Sequence, residues 1–298
     1  MSAVSGYRAY RCAQGGMVLV IVLWIVTLLA VMAGSFAYSM RVETRLATSA
    51  VERAQARAMA EAGVAYALAW QLDQEESRKV WPPNGDPRDW LFGGGRLRIQ
   101  VTDANGLVNL NTADAELLKV LFAGVGVDSR EQDRLVEAIL EWRQPGELGA
   151  NKAGSRRAGR PGGPKKTHFE SVEELQQVSG ISREVYERIA GVVTVFSNHV
   201  GVNPELAPAS LLQALGLDDR TVADYVKARA RAADGAAPPP LPRNGGQSFF
   251  SGGRTNVYHI SVSAEAGTGT TVSVDAVADV QGRFSGQDLR LLAWREGR

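Results

Sequence analysis

The sequence predicts an α+β chain. A long N-terminal helix lies against a small antiparallel sheet, and a helical segment is inserted between the strands. Three observations carry this. No charged residue occurs between Arg11 and Arg41. Proline is then absent until Pro82, through a stretch rich in Ala, Glu, Gln and Arg, which are strong helix formers. The longer strand-like alternations lie at Arg96–Asp103 and after Asn256, with mainly helical patterns between.

The apolar run MVLVIVLWIVTLLAVMAGSFAYSM (17–40) is long enough to cross a bilayer as one helix of about 20 residues or a little more. It contains no proline, so its backbone can be satisfied within the helix, as lipid requires. A short leader carrying Arg8 and Arg11 precedes it and ends in Gly15-Gly16. A secretory signal peptide is cut beyond its apolar region. Here the natural cut lies before it, after Gly16, which would leave Met17 as a new N-terminus that keeps the helix. Arg8 and Arg11 favour a cytoplasmic N-terminus and place the bulk outside the cytoplasm, although Arg41 and Arg45 weigh the other way.

Charge is close to balanced, at a formal net of +1, so no global attraction to nucleic acid or anionic lipid follows. The single cysteine, Cys12, lies in the leader, and disulfides are not expected in the mature chain.

A helix from Met17 to about Glu76 would be roughly 90 Å long at 1.5 Å per residue. Leu46, Ala50, Ala54, Ala58, Ala62, Ala65 and Ala69 form a small-residue stripe along it. Trp81–Gly95 is turn chemistry. Arg96–Asp103 follows as a half-buried strand with Leu97, Ile99 and Val101 on one side. The helical segment then begins with VNLNTADAELL, where Thr112 or Asn111 is the expected N-cap. The pattern returns as VNPELAPASLL: Val108, Asn109, Leu117, Leu118 and Leu121 match Val202, Asn203, Leu211, Leu212 and Leu215. Asp133–Arg143, Phe169–Ser179 and Arg183–Val192 read as further helices, and Val192–Phe196 as a short strand. Pro145–His168 is a basic, glycine-rich loop, and Ala233–Gly253 a linker too rich in proline and glycine to pack. Asn256–Ala266, Thr270–Val280 and Leu289–Glu296 complete an antiparallel meander.

No catalytic constellation is present. His168, His199 and His259 lack metal-ligand spacing, and neither a GxSxG elbow nor a phosphate-binding glycine loop of the nucleotide-binding kinds occurs. Leu175–Ile189 competes as a helix-hairpin-helix, a module whose glycine loop offers N–H groups to phosphates. Here the loop is Gly180-Ile181-Ser182, without the second glycine. The alternative Gly124-Val125-Gly126 keeps both glycines but is followed by Asp128. A membrane-anchored DNA-binding module for DNA uptake is therefore the second reading.

The leader resembles the class III leader of type IV pilins and type II secretion pseudopilins. With QARAMAEAGVAYA and VNLNTA…ESVEELQQVSGI…VTVFS…VNPELAP, the chain resembles the minor pseudopilin K family of type II secretion systems. The resemblance implies a pseudopilin fold and no enzyme activity. It implies cleavage after Gly16 by a prepilin peptidase and N-methylation of Met17. It implies residence in the bacterial inner membrane as a single-pass protein with its bulk in the periplasm. The implied role is to initiate or cap a pseudopilus at its tip and to aid export of folded proteins. The implied partners are the minor pseudopilins I, J and H and the secreted substrates, with nucleic acid not among them. The expected divisions are a leader at 1–16, the long helix at 17–80 (transmembrane 17–40), first sheet strands at 96–111, the helical insertion at 112–232, a linker at 233–253 and the meander at 254–298. Family members often carry an acidic cluster after a tryptophan, a plausible calcium cage. Here Trp142 is followed by Arg143, Gln144, Pro145, Gly146 and Glu147, too few oxygen donors for calcium, so no cofactor is expected. The position that bears a glutamate in most pilin-like subunits, fifth after the cut, is Ile21.

Overall fold

A computed structural model describes residues 15–72, 80–143, 167–233, 239–240, 249–280 and 289–297. The leader before residue 15, Cys12 included, most of the 145–168 loop and most of the 233–253 linker lie outside these residues. The chain divides into two compact units, 1–54 and 55–298.

The first helix, α1 (Gly15–Leu72), begins in the first unit. Residues 17–50 are exposed throughout, and 17–40 form an apolar run long enough to be a candidate membrane span.

In the second unit, α1 packs on one face of a five-stranded sheet. Its buried positions are Ala56, Met59, Ala60, Gly63, Val64, Ala67, Leu68 and Gln71. These fall at three- and four-residue steps, as one helical face must. The alanine stripe expected from periodicity is a different face: Ala58, Ala65 and Ala69 are exposed and Ala62 half-buried. Gly63 explains the choice of face. A Cβ there would stand 2.8 Å from Val262 Cγ1 and 2.9 Å from Leu97 Cδ2, so glycine is what lets the helix close on the sheet.

The strands are β1 (Arg88–Phe92), β2 (Gly95–Asp103), β5 (Val257–Glu265), β6 (Thr271–Val280) and β7 (Leu289–Gly297). They lie in that order, and every neighbouring pair is antiparallel. Leu97, Ile99 and Val101 are fully buried, as their alternation requires, with Ile260, Val262, Val274, Ala276 and Ala278 beside them. Strand β1 departs from the sequence reading, which placed only turns there. Gly93 and Gly94, both at positive φ, make a two-residue hairpin between Phe92 and Gly95. Trp90 then stacks on Tyr66 of α1 at 4.3 Å between ring centroids.

Between β2 and β5 the chain builds a helical body with its own core, centred on Phe122, Leu118, Leu135, Ile139, Leu175, Ile189 and Leu211. Its elements are β3 (Val108–Asn109), α2 (Ala115–Gly124), α3 (Ser129–Arg143), a 3-10 turn (Val172–Gln177), α4 (Arg183–Ile189), β4 (Val193–Thr194), α5 (Ala209–Ala214) and α6 (Asp219–Ala233). Strands β3 and β4 pair in parallel. The N-cap of α2 is Asp114, whose carboxylate accepts from Leu117 N–H at 2.7 Å, in place of Thr112 or Asn111. Asn111 instead exchanges two hydrogen bonds with the Phe169 backbone. Thr112 donates to His199 O. The expected helix over Phe169–Ser179 is the 3-10 turn. The end of the supposed linker does pack: Phe249 and Phe250 are buried in the helical core, and Phe250 bridges Val202.

Candidate functional site

The residues singled out from the sequence lie in separate places. Gly16 and Met17 fall in the first turn of α1, and Met17 and Ile21 are 74% and 52% exposed. Both side chains are therefore free to meet lipid or another helix.

The helical insertion presents three hairpins of one design. Each joins two helical segments through a glycine at positive φ, an apolar residue and a cap: Gly126-Val127-Asp128, Gly180-Ile181-Ser182 and Gly216-Leu217-Asp218. The glycines have φ of 80°, 89° and 85°, where a Cβ would be penalised. The apolar residue then plugs the core side of the turn. Asp128, Ser182 and Asp218 accept from backbone N–H groups two or three residues on, opening α3, α4 and α6.

This geometry decides what the loops can bind. In the first hairpin, Val125, Gly126 and Val127 donate their N–H groups to Leu121, Ala123 and Phe122 of the preceding helix. In the third, Leu215, Gly216 and Leu217 do the same to Leu211, Gln213 and Leu212. Donors spent on closing a helix are not available to a phosphate. Gly124 is consumed by packing as well, because a Cβ there would stand 2.5 Å from the Ala214 carbonyl carbon and Cα. Charge agrees. Asp128 and Asp218 face the loops, and hydrogen bonds from Thr221 hold Asp218 below the usual carboxylate range. Arg183 pairs with Glu187, and Arg188 with Glu184 and Val125 O. The first and third hairpins are packing units, and in the second Ile181 donates its N–H to Val178 O.

A buried polar knot ties the insertion to the sheet where the chain crosses between them. Asp103, at the end of β2, is 1% exposed. It accepts from Asn105 N–H and from the N–H and hydroxyl of Thr255, just before β5. Burial pushes its carboxyl up, and those donors act against the shift. Asn105 O accepts from Asn203 N–H, and Asn105 Oδ1 from the Ser197 hydroxyl. The two asparagines of the sequence repeat play one part twice. Asn109 Oδ1 accepts from Asn111 N–H, and its Nδ2 donates to Ser197 O. Asn203 Oδ1 accepts from Glu205 N–H, and its Nδ2 donates to Gly253 O. Each carboxamide replaces backbone partners that a chain leaving one body for another would otherwise lack.

Trp142 is buried and stacks on Phe169 at 5.9 Å. The residues that follow, 144–166, lie outside those described. Among the described residues no three His, Cys, Asp or Glu side chains group as a metal site.

With this arrangement in view, comparison with known proteins gives two matches. Residues 99–198 match the family model of type II secretion system (T2SS) protein K. A solved chain from the GspK-GspI-GspJ complex of the enterotoxigenic Escherichia coli type 2 secretion system has the same fold. The match has a TM-score of 0.51 at 14% identity and covers 84% of this chain and 98% of that one. No curated protein sequence matches. The family indicated by the sequence is thus the one whose model matches this segment, which runs from β2 through β4. The fold expected from the sequence, a long apolar-to-amphipathic helix on an antiparallel sheet with a helical insertion, is the fold observed.

Proposed function

We propose that this chain is the K-type minor pseudopilin of a type II secretion system. The observation that carries the reading is a coincidence within one chain. A K-family match runs over the strand and helical insertion, behind a helix whose exposed apolar half starts directly after Gly15-Gly16. A plain membrane anchor has no need to continue without a break into the helix that packs on a sheet. A filament subunit that leaves the membrane has that need.

On this reading a prepilin peptidase cuts after Gly16 and the new Met17 is N-methylated. The protein sits in the inner membrane by residues 17–40 with its bulk in the periplasm. It joins minor pseudopilins I and J, with H beneath, at the tip of the pseudopilus, and there it initiates or caps assembly and aids export. The role is structural, made of surfaces and a helix, and no step of bond chemistry is assigned to it. The closed loops of the first and third hairpins support this over the DNA-uptake reading.

The test is co-purification of the full chain from cells expressing tagged minor pseudopilins I and J, with N-terminal sequencing of what is retained. The expected result is a retained chain that begins at Met17. Failure to associate with I and J, or a mature chain beginning at Met1, would refute the proposal.

A further inference from the structure

The helical insertion rests on the outer face of the sheet across a seam that is polar and titratable. A cleft of about 300 Å³ runs along it, lined among others by Gln100, Phe196, His259, Ser261, Asp275 and Arg295. His259 lies on β5, opposite Thr102 of β2 and Val277 of β6 in register. Its Nε2 is 2.9 Å from Oγ1 of Thr194, a fully buried residue of β4 in the insertion. The same Oγ1 accepts from Phe196 N–H at 3.1 Å. The Thr194 hydroxyl thus has its own proton to give, and the arrangement suits a neutral imidazole whose Nε2 accepts it. The Phe196 ring, 6.2 Å from the imidazole, covers one side.

The charges around this contact are committed elsewhere. Asp275 of β6 accepts from the Ser261 hydroxyl at 2.6 Å and pairs with Arg295 of β7 at 2.7 Å. Arg295 also reaches across the seam to Glu173 at 3.5 Å and the Tyr186 hydroxyl at 3.3 Å. Asp279 alternates with Asp275 and Val277 on β6, Glu170 lines the far side of the cleft, and β2 offers only the neutral Gln100 and Thr102.

We propose that this seam is an acid-sensitive latch, in which protonation of His259 loosens the insertion from the sheet. A proton on Nε2 would take away the acceptor of the Thr194 hydroxyl, which is fully buried and would have to turn its own O–H elsewhere in order to accept from the imidazolium. It would also place a positive charge on a half-buried ring, where the carboxylate that acts on it, Asp275, already serves Ser261 and Arg295. Desolvation holds the imidazole below its ordinary 6.5, with Asp275 acting in the opposite sense. The open form takes up the proton more readily than the closed form. The closed seam is therefore fully stable above the ordinary histidine range and weakens as pH falls through it. Each pH unit below about 6.5 shifts the balance up to tenfold toward opening, until the closed-state value is reached. Asp103, whose carboxyl burial also pushes up, lies at the same crossing and is present in His259→Gln as well, so the comparison with that variant isolates the histidine.

Amide hydrogen exchange of the detergent-solubilised full chain tests this, corrected for the intrinsic pH dependence of exchange. Between pH 6.5 and 5.5, exchange in segments 190–198 and 256–263 should rise several-fold, up to about tenfold. The rise should vanish in His259→Gln, which stays neutral. The same rise in both proteins, or none in the wild type, would overturn the latch. Should His259→Gln not fold, exchange at the imidazole Cε1–H in the wild-type chain reads the titration of His259 directly. A value below the ordinary one sustains the proposal, and a value at or above it defeats the proposal.

Discussion

Gly124 has no room for a methyl group. It closes α2 where that helix meets the last turn of α5, and the clash would be with Ala214 backbone, which cannot rotate away as a side chain can. Gly124→Ala should therefore cost about 3 kcal/mol, as overpacking against fixed atoms does, and should lower the thermal midpoint. Gly180→Ala meets only Leu135 Cδ2, at 3.0 Å, but holds a φ of 89°. Its penalty is conformational, about 1–2 kcal/mol, and the smaller of the two. Equal thermal shifts for the two variants would contradict this ordering. Not every residue was legible beforehand. A glycine before an apolar residue and a capping side chain signals a hairpin, and the sequence shows that much at Gly180. That Gly124 packs while Gly126 turns depends on the approach of α5, which local sequence does not encode. Asp114 took the cap from Thr112 and Asn111 for a similar reason, because those two side chains bond across the fold to His199 O and Phe169.

At the level of elements, α1, β2 and the meander were legible because each has a clean period and a long run. Strand β1 was hidden by the prolines and glycines on both sides. The signal that could have found it is Gly93-Gly94 between Trp90-Leu91-Phe92 and Leu97, a two-residue hairpin turn with apolar flanks. The insertion's repeat was half visible. Asn109 and Asn203 align, but α2 has ten residues and α5 six, so the shared Gly-apolar-Asp turns fall out of step by one helical turn. The last hairpin is fastened to the loop ahead of β1 by Arg229 of α6, which is 7% exposed. Its guanidinium donates to Pro204 O and Ala207 O and pairs with Asp86 at 3.3 Å. Arg229→Met leaves two carbonyls without that donor and should cost about 2–3 kcal/mol. The Asp86 side chain is 54% exposed, so Asp86→Asn should cost under about 1 kcal/mol. Thermal denaturation of the two variants gives the order. If Asp86→Asn proves the more damaging, the ion pair and not the carbonyl clamp fastens α6.

At the scale of the whole molecule, one helix carries an exposed apolar part, a candidate membrane span, and a second part that closes a sheet bearing a large helical body. On the proposed reading this combination sets where the subunit can stand in a filament. A pilin-like subunit with a glutamate at the fifth mature position can pair that carboxylate with the N-terminal amine of a neighbour above. In a helix core of low dielectric, an unpaired charge costs several kcal/mol. Ile21 occupies that position here and is apolar, so the subunit brings no carboxylate that needs an amine above it. Its own amine at Met17 remains able to satisfy a glutamate below. A bulky insertion between β2 and β5 is also easier to accommodate at an end than along a shaft. Ile21→Glu should therefore add a charge with no partner at the tip and reduce pseudopilus assembly and secretion, while Ile21→Leu should leave both unchanged. Counting pseudopili per cell and measuring secreted protein for the two variants tests the electrostatic argument. Full assembly with Ile21→Glu would mean that a neighbour's amine does lie above residue 21, and the tip assignment would fall with it.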